Sequence, residues 1–546
     1  MALVIAASPP FIIFLLFFVA KLMHLRIINN QHLIKARLPP GPVPWPIIGC
    51  IPEMLRRKPT FRWILGWMKE MDTEIACFHF GNVPVIPVTC PAIAQEFLKK
   101  QDAAFASRPQ SVAAGTFSGG YKTTILSPYG ETWKKMRKVL NSEVVSPARH
   151  QWLHDKRIME ADNLIRYIYN QSKNFGRVNL RTACRQYTGN VMRRLMFNQR
   201  YFVEKIIDDG APTFREEEHV EALFETLRYL YGFCISDYLP YLAGLDLDGH
   251  EKIIKEVHET ILKYHEPIIR ERIQKWREDD GRNFRVENEL EKIEPQDLLD
   301  VLISLKDSRE KPLLTQEEII AQTWEIMIAG IDNPANAVEW AMAEMINNPE
   351  ILNKAEEEVD KVVGIERVVQ EQDIPNLNYV KACARESFRL HPLHSFNPPH
   401  LSLSETVVAG YRIPKGSHII LSRRGLGRNP KVWDKPLEFR PERHLLSGGN
   451  ANRCNGFPEE VLLTEPKLRF ISFSTGRRGC IGITLGTVMT VMLLARIVQG
   501  FLWMKPPELS KICLEESDGD LSLANPLVVC AKPRLPSHLY IPIIKE

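Results

Sequence analysis

One short stretch constrains this chain more than any other: Phe473-Ser-Thr-Gly476-Arg-Arg478-Gly479-Cys480-Ile-Gly482, at the head of an apolar run from Ile481 to Gln499. A cysteine sits there among glycines, two residues after an arginine. Glycine lets backbone approach a flat ligand closely and take positive φ at no steric cost. The helix expected over the apolar run turns free N–H groups and a positive dipole end toward the sulfur, which favours thiolate over thiol. Arg478 offers a planar fork of donors suited to a carboxylate such as a haem propionate. Together these choices fit a loop that presents Cys480 to a haem iron, and thiolate ligation favours O–O cleavage. Taken alone, the stretch also admits a plainer reading, a buried structural cysteine after a glycine turn.

The rest of the chain narrows the setting. Its 546 residues suffice for a large core, and no mid-chain linker or internal repeat divides them, so one large unit is expected. A net charge of +4 gives no reason to expect a nucleic-acid groove. Ten cysteines without a CxxC pair read as reduced thiols facing the cytosol. Leu3 to Ala20 is apolar apart from Ser8 and the Pro9-Pro10 pair, and with Leu22-Met23 it just reaches the roughly 20 residues a bilayer span requires. Lys21, Arg26, Lys35 and Arg37 follow, with no acid before Glu53, which places the body on the cytoplasmic side. A cleaved signal peptide would carry basic residues before the run and a small-residue site after it; neither is present. Residues 1–23 are thus expected to anchor the chain in the lipid bilayer. Residues 24–49, ending in the stretch Leu38 to Pro46, form a basic and Pro-rich hinge, a stiff linker to a globule over 50–546.

From about residue 50 the pattern is mainly helical with a few short strands. Glu405 to Ser422 reads as a β-hairpin, with turn signals at Ala409-Gly410 and Pro414-Lys-Gly416. Thr315-Gln-Glu-Glu318 has the form of a capping box. It opens a helical pattern that runs to about Asn347, roughly 50 Å if continuous. Asp279 to Glu294 and Ser447 to Gly456 read as exposed loops. Glu386 and Arg389 share a helical face, as do Trp133 and Arg137. Each pair alone would pass for an ordinary surface feature.

The F-x-x-G-x-R-x-C-x-G spacing around Cys480, with Glu386-x-x-Arg389 and Pro441-Glu-Arg443-His444, resembles the cytochrome P-450 superfamily, the haem-thiolate monooxygenases. The resemblance implies a mainly α fold with small β-sheets, a single large haem-thiolate unit, preceded here by one N-terminal transmembrane helix. It implies haem b, with Cys480 as axial iron ligand and Arg478, Trp133, Arg137 and His400 as propionate contacts. Glu386, Arg389 and Arg443 would form a structural lock on the haem-binding segment.

The long helix departs from the superfamily pattern. Ala329-Gly330-Ile-Asp332 fits, but Asn333-Pro334 replaces the usual Thr-Thr. Asn333 both donates and accepts hydrogen bonds but is no hydroxyl relay. Pro334 lacks an N–H and crowds the Gly330 carbonyl, so a kink or widening is expected there. Asp332-Asn-Pro334, Pro441-Glu-Arg-His444, Phe396-Asn-x-Pro-His400, Ser236-Asp-Tyr-Leu-Pro240 and Leu245-Asp-Leu-Asp-Gly249 together resemble the plant amino-acid N-hydroxylase branch. Pro398 and Gly482 depart from that branch, where Val and Ala are frequent. The branch implies a free L-amino acid, aromatic or branched-chain, hydroxylated twice on nitrogen and converted to an aldoxime. Electrons would come from an NADPH-dependent reductase on the same endoplasmic-reticulum membrane. Asp332 and Asn333 are the catalytic candidates. Lys122 and Arg108 are candidates for holding the substrate carboxylate, and Phe396 and Asn525 for lining the pocket. Two other readings share the haem motifs: a carbon-hydroxylating monooxygenase of a small apolar substrate, and a reductase-independent isomerase or dehydratase.

Overall fold

The computed structural model describes residues 36–200, 214–230, 232–283, 294–445, 460–519 and 521–540. The N-terminal apolar run and the Ser447 to Gly456 segment lie outside the described residues, as does most of Asp279 to Glu294. The principal helices are α1 (Glu131–Val139), α2 (His154–Phe175), α3 (Leu180–Phe197), α4 (Phe214–Leu230), α5 (His250–Asn283), α6 (Gln316–Asn347), α7 (Asn378–Leu390) and α8 (Ile483–Gly500). α5 carries the chain through Asp279 to Asn283, where the sequence pattern suggested loop.

α6 is the axis of the molecule. Its 32 residues span roughly 48 Å. The Thr315 side chain accepts from the Glu318 N–H while Glu318 reaches back to the Thr315 N–H at 2.9 Å, so the capping box is complete. Glu318 also holds Lys135 of α1 at 2.7 Å, which fixes α1 beside the start of α6. Most of α6 is buried on every side, as an apolar helix through a core must be. Met192 and Leu195 of α3, Val380 and Cys383 of α7 and the interior of α8 pack around it in the largest apolar cluster. The helix continues without interruption through Pro334; the crowding expected there does not break it. α8 is apolar enough to cross a membrane, but it is largely buried among these helices.

Three small sheets flank the helices. β1 (Phe78–Phe80), β2 (Val83–Val88), β7 (His418–Leu421) and β4 (His400–Leu401) form one in the order β1-β2-β7-β4. β2 and β7 are parallel, with Val85 opposite His418, and the other pairs are antiparallel. β5 (Thr406–Val408) and β6 (Tyr411–Ile413) form a hairpin; β3 (Val178–Asn179), β9 (Val528–Pro533) and β8 (Phe501–Met504) form the third sheet. The hairpin expected over Glu405 to Ser422 is therefore only half right. The Ala409-Gly410 turn closes β5 on β6, whereas the chain after Gly416 leaves to pair with β2 and β4. A two-residue turn fixes its own register locally, but β2, the parallel partner of β7, lies more than 300 residues away in sequence.

The Pro-rich stretch also differs from a free linker. The Arg37 carbonyl accepts from the Arg412 N–H at 2.9 Å, and the Pro40 carbonyl from the Cys77 N–H at 2.8 Å. A Cβ on Gly41 would lie 1.8 Å from the Cys77 oxygen, so only glycine lets the chain lie this close. From residue 36 onward the segment is seated on the body.

Candidate active site

The Cys480 loop is shaped by backbone. The Cys480 N–H donates to the Phe473 carbonyl at 2.9 Å, and the Gly479 N–H to the Gly476 carbonyl at 3.0 Å. Of the three glycines, Gly476 alone takes positive φ, at 75°, and its Cβ would fall 2.3 Å from the Leu98 oxygen. At Gly479 an added Cβ would lie 3.1 Å from the Gly476 carbonyl oxygen, a tight approach that glycine relieves. At Gly482, φ is −84° and an added Cβ would make ordinary contact with Cys480 Sγ at 3.8 Å, so alanine fits there. Ser474 supplies the loop's other left-handed turn, with φ 59°.

Cys480 is exposed, but into an interior cavity of about 310 Å³. Burial pushes its thiol pKa up; the Gly482 N–H and the nearby charges of Arg137 and Arg423 act in the opposite direction. Ala329, Gly330, Asn333 and Pro334 of α6 line the same cavity. Thiol and helix thus bound one chamber.

Donors gather beside the thiol. Trp133 and Arg137 lie on one face of α1 because they are four residues apart. Arg137 donates to the Gly479 carbonyl at 2.9 Å. Trp133 is buried, and its indole Nε1 has no hydrogen-bond partner among the described residues. A buried indole N–H normally finds an acceptor, so the orphan marks a place for one that the protein does not supply. Arg478 stands over the Trp133 ring at 4.7 Å and donates to the carbonyls of Ala106, Thr124 and Ser127. Burial brings its pKa down to about 8. A sulfur facing an apolar chamber, an orphaned donor, the buried Arg478 and the half-buried Arg137 fit haem b, which brings an iron and two carboxylates.

Other sequence-selected residues are distributed less simply. His400 is buried outside the cavity wall, and its Nδ1–H donates to the Phe105 carbonyl at 2.9 Å. Burial, with Arg108 and Arg478 nearby, holds its pKa well below the ordinary value. The neutral ring therefore offers an acceptor at Nε2, and donation to a propionate would require a second proton. Asp332 is turned away from the cavity: it accepts from Asn336 Nδ2, and His394 Nε2 lies 4.0 Å away. Asn333 lines the cavity and is exposed to it, so the two catalytic candidates occupy different surroundings.

Arg108 lines the cavity and donates to the carbonyls of Ile125, Pro398 and Pro399. Lys122 is half-buried and not in the cavity wall; its carbonyl accepts from Gln322. Phe396 packs edge-on to Phe233 at 6.3 Å in a separate apolar cluster. Asn525 is exposed, with its carbonyl toward Arg181. The structure brings neither Phe396 nor Asn525 into the wall around Cys480.

Below the loop, Glu386 is fully buried and accepts from Arg389 at 2.7 Å through both oxygens, from Arg443 at 3.0 Å and from the Arg440 N–H at 2.9 Å. Arg389 donates onward to the carbonyls of Gly427, Pro436 and Glu438, tying α7 to the segment before the loop. His444 joins them, with its Nε2 2.8 Å from Glu386.

Among the described chamber residues that sequence reasoning missed, Glu325 is the one carboxylate. Glu325 lies on α6 one turn before Ala329 and two before Asn333, a spacing legible in the sequence, and it lines the cavity. What the spacing could not reveal is its partners, the N–H groups of Thr124 at 2.5 Å and Ile125 at 2.7 Å.

Comparison with known proteins agrees with this geometry. The pattern described as Cytochrome P450 matches residues 39–530. Tyrosine N-monooxygenase of Sorghum bicolor is 56% identical over 507 residues, covering 92% of this chain and 87% of that protein. Valine N-monooxygenase 1 of Manihot esculenta is 56% identical over 512 residues, 94% of this chain and 90% of that protein. Tryptophan N-monooxygenase 1 of Arabidopsis thaliana is 54% identical over 520 residues, with 95% and 92% covered. With a cysteine loop, a crossing helix and a family match spanning nearly its whole length, the chain belongs to the cytochrome P450 family.

Proposed function

We propose that this chain is a haem-thiolate N-monooxygenase that converts a free L-amino acid to its aldoxime. Two N-hydroxylations, each using O2 and NADPH-derived electrons, are followed by loss of water and carbon dioxide. The observation that carries the reading is Asn333-Pro334 on the wall facing Cys480, in a chain more than half identical to enzymes named for N-monooxygenation of tyrosine and valine. Bound haem would supply oxygen cleavage and delivery of the oxygen atom. Cys480 would hold its iron, and Trp133, Arg137 and Arg478 its propionates. Asn333 would orient the substrate nitrogen or a water beside it by donating and accepting hydrogen bonds. Arg108 would hold the substrate carboxylate, since an anion in a mostly apolar chamber needs a cationic partner. The chamber walls exclude bulk water from the reacting nitrogen.

A separate NADPH-dependent reductase would supply the electrons. Residues 1–23 would anchor the enzyme as a single pass in the endoplasmic reticulum, with the catalytic body cytosolic. The positive residues behind the apolar run support that orientation. The test is a panel of free amino acids given to microsomes that contain the protein, its reductase and NADPH, scored for oximes. One or a few amino acids should yield their oximes; turnover of another compound class with no oxime from any would sink the reading.

A further inference from the structure

The chamber around Cys480 is rich in cations: Arg108, Arg137, Arg157, Arg423 and Arg478 all reach its wall. Among the described residues that line it, Glu325 is the one carboxylate. Both its oxygens accept from backbone N–H groups, which favours the ionised form. No lysine or arginine among the described residues pairs with it directly. Arg478 and Arg137, whose charges act on it, donate to backbone carbonyls rather than to its oxygens. Each carboxylate oxygen has a second lone pair, so the group keeps capacity to accept from a ligand. Glu325, Ala329 and Asn333 stand in a row on one face of α6, about 6 Å apart along the axis.

The substrate proposed above meets this row with a chemical problem. At neutral pH the nitrogen of a free amino acid is an ammonium, which has no lone pair to receive oxygen. A carboxylate is the complement such a cation requires in a low-dielectric chamber.

We propose that Glu325 receives the substrate ammonium on entry, about 12 Å along α6 from Asn333, and takes the proton it must lose before the nitrogen moves on to the first N-hydroxylation. In that step an N–H bond breaks, its electron pair stays on nitrogen and an O–H bond forms on Glu325. The inference rests on the amino-acid reading. The groups that face the carboxylate fit the task. Burial raises its pKa to about 7, while the two N–H groups and the charges of Arg478 and Arg137 pull the other way, leaving it able to hold or release a proton near neutrality. The N-hydroxyamino acid formed next is a much weaker base and is neutral without help. Glu325 is therefore needed for the first hydroxylation and not for the second.

The test compares wild type, Glu325→Gln and Glu325→Asp as full-length, haem-loaded enzymes, on the amino acid the panel identifies. For phenylalanine the probes are L-phenylalanine, N-hydroxyphenylalanine and 3-phenylpropanoate, which lacks the amino group. Glu325→Gln should bind and turn over the amino acid about tenfold or more less well, the scale of losing a hydrogen bond to a charged group. It should keep N-hydroxyphenylalanine turnover and 3-phenylpropanoate binding near wild type. Raising the pH should recover part of the lost activity, because free amine then enters directly, and Glu325→Asp should restore part of it at neutral pH. Equal losses on all three probes would reduce Glu325 to a tether for the Thr124 loop and overturn the proposal, as would unchanged turnover of the amino acid. Wild type that makes no oxime would overturn the reading beneath it, a result the variants cannot mimic.

Discussion

His444 carries a neutral ring into the most charged part of the core. Arg385 Nε donates to its Nδ1 at 3.1 Å, so Nδ1 holds the lone pair, and Nε2–H donates to Glu386 at 2.8 Å. Burial lowers its pKa to about 4, outweighing Glu386, and that of Glu386 is lowered to about 2; burial opposes that fall, but the hydrogen bonds from Arg389 and His444 overcome it. His444→Phe should lower thermal stability by about 1–3 kcal/mol, because it strips a donor from a buried carboxylate and an acceptor from Arg385. The deficit should depend on pH. A histidine with a depressed folded pKa contributes fully above its unfolded value near 6.5, and that contribution fades as pH falls toward 4. Melting curves of both proteins should therefore converge between those limits; a gap that stays constant with pH would contradict the depressed pKa and the neutral ring. At this scale the sequence was legible where spacing alone defines contact, as for Glu386 with Arg389, or a shared helix face, as for Trp133 with Arg137. The position of His444 was visible as an odd residue, but its role depends on Arg385 and Glu386, which lie in a different helix. Phe396 and Asn525 fall outside the chamber for the same reason: sequence shows a residue's type, and the packing of distant segments decides what it faces.

Elements were more legible than contacts between them. The capping box and the run to Asn347 defined α6, because cap chemistry and helical period are local. β7 was misread because its parallel partner, β2, is remote. The packing of α6 on α3 was equally invisible, and it explains Gly330. A Cβ there would lie 2.3 Å from the Met192 sulfur, with two more atoms of that side chain at 2.9 Å. Gly330→Ala should cost about 1 kcal/mol or less, because the flexible Met192 side chain borders the cavity and can turn aside. Met192→Ala removes the obstacle, so the double variant should be less destabilised than the sum of the singles. A double-mutant cycle on thermal midpoints measures this, and strict additivity would contradict the contact.

At the scale of the whole molecule, the seated Pro-rich segment has a mechanical consequence. If residues 1–23 enter the bilayer, the hydrogen bonds from Cys77 and Arg412 to residues 40 and 37 transmit that anchorage to the chain entering β1 and to the β5–β6 hairpin and set how the body is held. Gly41→Ala cannot keep the close approach to the Cys77 carbonyl and should release the segment. Protease cleavage within 36–49 should rise, while the haem spectrum of the body stays intact; unchanged protection would contradict the docked arrangement. Cys480 sets the larger consequence, since the chamber, the orphaned Trp133 donor and the Glu386 lock all surround its loop. The most direct measurement is the carbon monoxide difference spectrum of the reduced, purified protein beside its Cys480→Ser variant. The wild type should give the band of a cysteinate-ligated haem and the variant should lose it together with oxime formation. A wild type without that band, or a variant that keeps it, would contradict the assignment of Cys480 as the iron ligand.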